Sequence, residues 1–434
     1  MSDTVPVPEG LAEQAATIGG PEGVLDERAV HDHIVSSLAR LDLDGRSVAL
    51  VVPDGTRSVP MPRLLRPVHE ALAGRATKVT VVVALGTHAA MSEEAMGRAF
   101  GYEPGRAEET YPGWTFVNHE WWHEETFADL GVIPASEVSR YSGGRLNDRD
   151  MHVVVNRAVV EHDVSLVVGP VLPHEVVGIS GGNKYFFPGL SGHDVIDLSH
   201  WVGALISSYE IIGTTGITPV RALINAATER IPSEKLCVAV VTEAGTGELH
   251  SVSVGTTESA WAAAAEIAAA SHITYLDRPV RRVLSILPEM YEDIWTGAKG
   301  FYKLEPVVAD GGEVILYAPH ITEISVMHPG LKEIGYHNRD YFVKQWDRFR
   351  DHPWGELAHS THLRGMGTYD AETGTETNRV KVTLATSVPR EQVEAVNLSW
   401  MDPADVDVAA LEADPDTFVV HNAGEVLFRL REPS

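Results

Sequence analysis

The chain is short of cysteine, of positive charge and of long apolar runs, and each shortage excludes a class of protein. Cys237 is the single cysteine, so an intrachain disulfide is excluded and a reducing compartment is favoured. Lysine and arginine number 34 against 61 aspartates and glutamates, which leaves a formal net charge of −27. That balance argues against nucleic-acid binding, because phosphates need Lys and Arg to neutralise them. No run of 18 or more apolar residues occurs, so we expect no membrane span.

The N-terminal sequence and the chain length narrow the class further. The first ten residues, MSDTVPVPEG, lack a basic stretch followed by an apolar one, so we expect no signal peptide and predict a cytoplasmic protein. At 434 residues, 44% of them hydrophobic, the chain is longer than a typical domain and can fill two cores.

Three strand-like segments each end in a cluster of polar residues. Ser47–Val52 precedes the sequence PDGTR, Lys78–Leu85 precedes GTH, and Val164–Val168 precedes the long polar segment 173–200. Continuous runs of Val, Ile and Leu are typical of parallel strands that are buried on both faces. Ligands of open α/β sheets bind at the carboxyl ends of such strands. We therefore expect the three clusters to meet at one end of one parallel sheet and to form an active site.

The segment 173–200 has the greatest capacity for chemistry. Within it lie His174, Lys184, His193, His200 and the glycine pair of the sequence SGGNK. Histidine is the commonest metal ligand and the commonest general acid or base at neutral pH. A lysine in a glycine-lined loop can serve as a charge or as a nucleophile toward a carbonyl or acyl group.

These three segments, in this order, resemble the lactate racemase family, which uses a nickel-pincer nucleotide as cofactor. The central motif is highly specific, and the two short motifs are weak alone. The resemblance implies a 2-hydroxy acid substrate and, as partners, the proteins that synthesise the cofactor. It implies the following roles: His88 and His174 as paired proton-transfer groups, Lys184 as the residue bound covalently to the cofactor through a thioamide, His200 as the protein ligand of nickel, Arg57 as a substrate-carboxylate residue, and Asp54, Thr56, Gly181 and Gly182 as cofactor contacts. His193 receives no role.

The chain departs from the family's pattern further along. Lactate enzymes of the family carry Tyr-Gln, two further residues and Lys, whereas this chain has Trp295, Thr296 and Lys299. We expect all three to contact the substrate. A threonine hydroxyl is shorter than a glutamine amide and offers one donor instead of two. The change predicts a substrate that is bulkier or more polar than lactate.

The pattern of strands and helices predicts an α/β fold. We predict two α/β domains with mostly parallel sheets, residues 1–275 and residues 276–409. Residues 410–434 are expected to return to the first domain. The active site is expected to lie in the cleft between the two domains. We expect a strong helix over Thr256–Ala270 with a threonine at its N-cap. The segment that returns to the first domain includes Asp416–Asn422, and the expected flexible loop is Asp370–Thr377.

A second polar cluster, His352–Tyr369, holds three histidines, an arginine and a tryptophan. His359 and His362 would share one face of a helix. Three interpretations remain open: a metal site, a substrate-specificity loop that faces the first domain, and a solvated loop.

The chemistry favours removal of hydride over removal of a proton from the substrate's α-carbon. The ionised carboxylate disfavours a neighbouring carbanion, whereas a base that takes the hydroxyl proton while an organic cofactor takes hydride avoids it. We therefore predict a 2-hydroxy acid racemase or epimerase. Two alternatives are an NAD-dependent oxidoreductase, although no GxGxxG follows the early strands, and a protein that binds a hydroxy acid or nucleotide without turnover.

Overall fold

The strands and helices alternate along the chain in a computed structural model that describes residues 3–56 and 58–431. The strands are β1 Ala16–Gly19, β2 Ser47–Pro53, β3 Lys78–Ala84, β4 Trp114–Asn118, β5 Phe127–Ile133, β6 Met151–Asn156, β7 Val164–Pro170, β8 Pro173–His174, β9 Gly178–Ile179, β10 Glu234–Thr242, β11 Leu249–Thr256, β12 Ile273–Leu276, β13 Val280–Ile286, β14 Val308–Ala318, β15 Gly367–Asp370, β16 Thr375–Asn378, β17 Lys381–Thr386, β18 Ser399–Trp400, β19 Thr417–Val420 and β20 Leu427–Leu430. The helices are α1 Glu27–Leu38, α2 Met61–Leu72, α3 Glu93–Phe100, α4 Ala107–Thr110, α5 Ala135–Tyr141, α6 Ala158–Glu161, α7 His193–Ile206, α8 Ser208–Ile211, α9 Pro219–Thr228, α10 Thr257–His272, α11 Ile294–Gly297, α12 Lys299–Tyr302, α13 Leu331–Ile334, α14 Arg339–Val343, α15 Trp346–Phe349, α16 Trp354–Arg364, α17 Arg390–Ala395 and α18 Val408–Ala413.

The first sheet has the strand order β1-β11-β10-β7-β2-β3-β4. The five strands from β10 to β4 run parallel, and β11 and β1 are antiparallel to their neighbours. From β2 the chain proceeds outward to β3 and β4, whereas from β7 it proceeds in the other direction to β10. The order therefore reverses between β2 and β7, and such a reversal opens a crevice at the carboxyl ends of the strands.

Strand β2 shows why these segments form the centre of a sheet. Val48, Leu50 and Val52 pack into one apolar cluster, and Ala49 and Val51 pack into another. Successive side chains of a strand point to opposite faces, so a strand that is apolar throughout needs cover on both. The prediction of parallel strands buried on both faces is confirmed.

The second sheet has the order β18-β17-β14-β13-β19, and its strands are all parallel. The predicted fold class, α/β with mostly parallel sheets, is confirmed. Asp416–Asn422 does not return to the first sheet, because β19 pairs with β13 at the edge of the second. Only β20, the last strand, pairs with β12. The division into domains near residue 275 stays a prediction.

Two local expectations have clear outcomes. Asp370–Thr377 is not an open loop, because β15 and β16 form an antiparallel hairpin in which Tyr369 pairs with Glu376. Helix α10 is confirmed: the Thr256 hydroxyl accepts a hydrogen bond from the Ser259 backbone at its start. The Ser259 hydroxyl in turn accepts a hydrogen bond from the Thr256 backbone at 3.1 Å, which completes a capping box. Across residues 3–56 and 58–431, no helix combines the length and the apolar character needed to span a bilayer.

The buried neutral histidines generate a prediction about stability. Burial lowers the pKa of His119 and His272 to about 4. Below pH 6.5 the unfolded chain therefore binds more protons than the folded one, and stability is lost as the pH falls from about 6.5 toward 4, by roughly 1–2 kcal/mol per histidine between pH 7 and pH 5. We expect urea unfolding to give a lower free energy at pH 5 than at pH 7. His272→Gln should reduce this difference, and an unchanged difference would contradict the assignment.

Candidate active site

A cavity lies at the reversal point, where β2, β3 and β7 end. It is lined by residues from all three predicted clusters and by residues of the second half of the chain. Those with polar or aromatic side chains are Asp54, Thr56, Thr87, His88, His174, Glu175, Ser180, Lys184, Tyr185, His200, Trp295, Lys299, Tyr302, His359 and His362. The three clusters therefore meet, as the positions of the strands predicted.

His88 is held by Asp54. Its Nδ1 lies 2.5 Å from Asp54 Oδ2, while Asp54 Oδ1 accepts hydrogen bonds from the backbone and hydroxyl of Thr56 at 3.0 and 2.7 Å. Burial opposes ionisation of Asp54, but the charge and hydrogen bond of His88 outweigh it and hold the pKa of Asp54 below its usual range. An ionised Asp54 fixes the proton on Nδ1, which leaves Nε2 of His88 as a base.

His174 has a matching carboxylate. It lies in the short β8–β9 hairpin, where its Nδ1 accepts a hydrogen bond from the Val176 backbone at 3.1 Å and lies 3.3 Å from Glu175 Oε2. Burial would raise the pKa of Glu175, yet the charge of His174, with that of Lys299 adding to it, holds the pKa below its usual range. Glu175 is therefore ionised, and it stabilises the protonated form of His174.

Lys184 lies in a tight turn that the neighbouring helices support. Gly181 and Gly182 have φ of +87° and +57°, and a Cβ on Gly182 would lie 2.8 Å from Cβ of Trp261. Trp261 Nε1 donates to Ser180 O at 2.9 Å, and the Arg221 guanidinium donates to Gly181 O. The glycines serve this close approach to α10, and the turn then directs Lys184 to the cavity.

His200 is oriented by its own helix. Its Nδ1 lies 2.7 Å from the carbonyl oxygen of Ile196, so Nδ1 carries the proton and Nε2 keeps its lone pair. Burial, and then the charge of Lys184, lowers the pKa of His200 to about 4, so the ring is neutral at pH 7. A neutral imidazole whose other nitrogen donates to a carbonyl is the usual form of a metal-binding histidine.

Helices α7 and α16 pack against each other and close the cavity on the side of the second sheet. Gly355 N donates to Asp197 Oδ1 at 2.8 Å and so joins the start of α16 to α7. His359 and His362, three residues apart, both face the cavity, as their spacing predicted. Most of the segment is the buried helix α16, so it is not a solvated loop. The predicted substrate-specificity loop is likewise a helix. Among the described residues no group of three or more His, Cys, Asp or Glu side chains could hold a metal.

Trp295 and Lys299 are at the cavity, whereas Thr296 is not among its lining residues. The Trp295 ring is stacked between His328 and His359, with centroids at 3.8 and 4.0 Å. The Thr296 hydroxyl instead donates to Asp293 Oδ1 at 2.9 Å, where Asp293 caps α11. The first backbone N–H groups of a helix are commonly capped by an aspartate side chain, as Asp293 does here. The spacing of Trp295, Thr296 and Lys299 in the sequence did not indicate this cap.

Three further residues complete the comparison with the sequence analysis. Arg57, predicted to bind the substrate carboxylate, lies outside the described residues. Arg364, in the second polar cluster, pairs with Glu376 at 3.7 Å and does not line the cavity. Glu175 was missed, although it follows His174 directly, because a glutamate beside a histidine in a sequence does not show that their side chains meet.

The residues of the cavity fit the cofactor that the resemblance implies. Two observations of this structure support the fit: His200 presents an unprotonated Nε2, and Lys184 lies on a turn next to it, close enough that its charge lowers the His200 pKa. One protein ligand is enough for a nickel ion whose other ligands belong to the cofactor, as in the resembled family.

Comparison with known proteins agrees with this geometry. The model of the lactate racemase N-terminal domain matches residues 25–213, a range that contains both histidine–carboxylate pairs, Lys184 and His200. Lactate racemase of Thermoanaerobacterium thermosaccharolyticum is 26% identical over 187 residues, which are 42% of this chain and 39% of that protein. The chain thus matches well under half of the length of that relative.

Solved structures extend the similarity to the whole fold. A structural genomics target from Thermotoga maritima superposes with a TM-score of 0.86 at 30% identity, over 95% of this chain and 100% of that one. The lactate racemase apoprotein of Thermoanaerobacterium thermosaccharolyticum superposes with a TM-score of 0.69 at 18% identity, over 98% and 99% of the two chains, which shows a shared fold. Residues 25–213 thus carry the N-terminal domain of the lactate racemase family, and the chain as a whole has the fold of a lactate racemase apoprotein.

Proposed function

We propose that the protein is a cytoplasmic racemase or epimerase that inverts the α-carbon of a 2-hydroxy acid. The observation that carries the proposal is a pair of histidine–carboxylate couples, Asp54–His88 and Glu175–His174, that line one cavity. A protein that only binds a hydroxy acid needs no such pair. Inversion needs the pair, because the hydroxyl proton must be removed from either enantiomer and returned to the product oxygen.

The two couples suit opposite roles in one turnover. With its proton held on Nδ1 by Asp54, His88 can accept the hydroxyl proton at Nε2. His174 beside the ionised Glu175 is suited to carry a proton and to return it to the substrate oxygen. When the opposite enantiomer binds, the roles exchange, and for this His174 must hold a proton on Nδ1 toward Glu175 instead of accepting there from the Val176 backbone.

Lys299 and Trp295 hold the substrate in this proposal. Lys299 is buried at the cavity wall and supplies positive charge for the α-carboxylate. Trp295, fixed between two imidazole rings, replaces the family's tyrosine as a rigid flat wall. We propose a substrate that is bulkier or more polar than lactate.

Lys184 and His200 would hold the nickel-pincer nucleotide, Lys184 by a covalent thioamide and His200 through Nε2 to nickel. When bound, the cofactor would supply a reversible acceptor for the hydride of the α-carbon. Asp54, Thr56 and Gly181 line the same cavity, whereas Gly182 faces α10 and supports the turn. The proteins that synthesise the cofactor are the implied partners. The residues of this chain orient the substrate and move the hydroxyl proton.

The first prediction tests cofactor attachment. In protein produced together with the cofactor-making enzymes, Lys184→Ala should abolish the mass increment in intact-mass analysis, because the variant removes the amine that is proposed to form the link. His200→Ala should lose most of the nickel in elemental analysis. His193→Ala is the matched control: His193 lies on the same helix, is exposed and packs against Trp121 outside the cavity. The assignment is contradicted if Lys184→Ala keeps the mass increment or if His200→Ala keeps the nickel.

The second prediction tests the histidine–carboxylate couples. Asp54→Asn and Glu175→Gln should each lower kcat for racemisation in both directions by about 10²- to 10⁴-fold, because the protonated histidine loses its counter-charge. His88→Ala and His174→Ala should lower it at least as much. Asp129→Asn is the control, since it breaks a similar but exposed pair, Asp129–His152 at 3.0 Å. Near-normal turnover in either carboxylate variant would remove that couple from the mechanism.

The third prediction concerns the α-hydrogen. Because His88 and His174 exchange protons only with the substrate oxygen, the α-hydrogen should not pass through a group that exchanges with water. Racemisation in D₂O should therefore give product without deuterium at the α-carbon, as measured by mass spectrometry. Full incorporation of solvent deuterium would instead assign direct deprotonation of the α-carbon to the histidines.

A further inference from the structure

His362 is the buried polar side chain of the cavity that the proposed chemistry leaves unused. It is 3% exposed and faces the cavity from α16. No described residue places a hydrogen-bonding atom within reach of its Nδ1 or its Nε2. A buried imidazole without partners loses hydrogen bonds to water and gains none in return. Such a group is explained when a ligand supplies the missing partners.

The other histidines of the cavity have partners that His362 lacks. His359, one turn away, already has a partner in the Tyr336 hydroxyl at 3.4 Å and is stacked on Trp295. His88 and His174 each have a carboxylate that can stabilise their protonated forms, whereas His362 forms no ion pair with Glu175 within the described residues. His362 is therefore built to form hydrogen bonds and not to cycle a proton.

We propose that His362 recognises a hydroxyl group of the substrate beyond the α-carbon, so that the substrate class is the polyhydroxy acids. This inference rests on the proposed function. A neutral imidazole offers one donor and one acceptor on nitrogens that point in different directions, so a hydroxyl group can bond either nitrogen and two hydroxyls of a polyhydroxy acid can bond both. A carboxylate only accepts, so it can bond the protonated nitrogen alone.

The charges around His362 favour a hydroxyl over a second carboxylate. Of the described residues that line the cavity, the charged ones are Asp54, Glu175, Lys184 and Lys299. The proposal assigns Lys184 to the cofactor and Lys299 to the α-carboxylate. A distal carboxylate near His362 would face the charge of Glu175, because these two groups are close enough to shift each other's pKa. Burial lowers the pKa of His362 to about 4, so its ring supplies no charge for an anion at pH 7.

The test compares substrates that differ in one group. The pairs are glycerate with lactate and gluconate with 2-hydroxyhexanoate, and malate adds a distal carboxylate. Dissociation constants from calorimetry and values of kcat/KM are measured for the holoprotein, for His362→Phe, which keeps a flat ring but no nitrogen, and for His362→Gln, which restores a donor and an acceptor. His272→Gln is the control, because His272 is a buried histidine outside the cavity. Circular dichroism and nickel content are recorded for every variant.

We expect the hydroxylated member of at least one pair to bind about 10- to 100-fold tighter than its deoxy partner, and His362→Phe to remove most of that ratio. His362→Gln should restore part of it, and His272→Gln should leave it unchanged, with nickel content constant throughout. The inference is overturned if malate binds best, if His362→Phe keeps the ratio, or if it loses nickel, which would make His362 a metal ligand.

Turnover and binding separate this inference from the proposed function. Wild-type protein that racemises no hydroxy acid, yet binds hydroxylated acids with the expected ratio, would refute the racemase and retain the recognition by His362. Wild-type protein that racemises lactate with the highest kcat/KM and shows no preference in binding would retain the racemase and refute the recognition.

Discussion

The parallel pairing of β2 with β3 on one side and β7 on the other is the constraint on which the site depends. These contacts bring Asp54, His88 and His174 together although they are far apart in sequence. The ladder also makes each strand end at the same edge of the sheet, so the following residues have to lie beside one another. Any change that shifted the register of β2 would separate Asp54 from His88 and would remove one couple before it changed any catalytic residue.

Support for the site comes from residues that take no part in the chemistry. Arg221 is almost fully buried; its guanidinium lies 3.9 Å from the Trp261 ring centroid and donates to Ile179 O and Gly181 O. Burying a guanidinium is costly unless its donors are used. Here the two terminal nitrogens donate to carbonyls that shape the turn before Lys184, while Nε has no partner among the described residues. A rigid turn of this kind fixes the backbone from which Lys184 reaches the cavity.

How far the sequence predicted the structure depends on the range of the interactions involved. Strand identity and the convergence of the clusters follow from apolar runs and the geometry of parallel sheets, and both were predicted. Glu175 and the stack of His328 on Trp295 were not, because they depend on side-chain directions that no spacing encodes. The bond between the Thr296 hydroxyl and Asp293 at the start of α11 was not predicted either, and substrate contact by Thr296 stays a prediction. The strand β19 was misplaced because a short apolar run can pair with either sheet.

Electrostatics explains how so acidic a chain can hold an anion. A net charge of −27 repels a carboxylate, but at physiological ionic strength salt largely screens that repulsion at distances beyond about 8 Å. Under the proposed function, Lys299 at the cavity wall supplies the positive charge for the α-carboxylate. A second anion would compete with Glu175 for His174 and Lys299. The carboxylate proposed to support proton transfer by His174 would thus also restrict the charge of the substrate, which would couple catalysis to specificity in one buried residue.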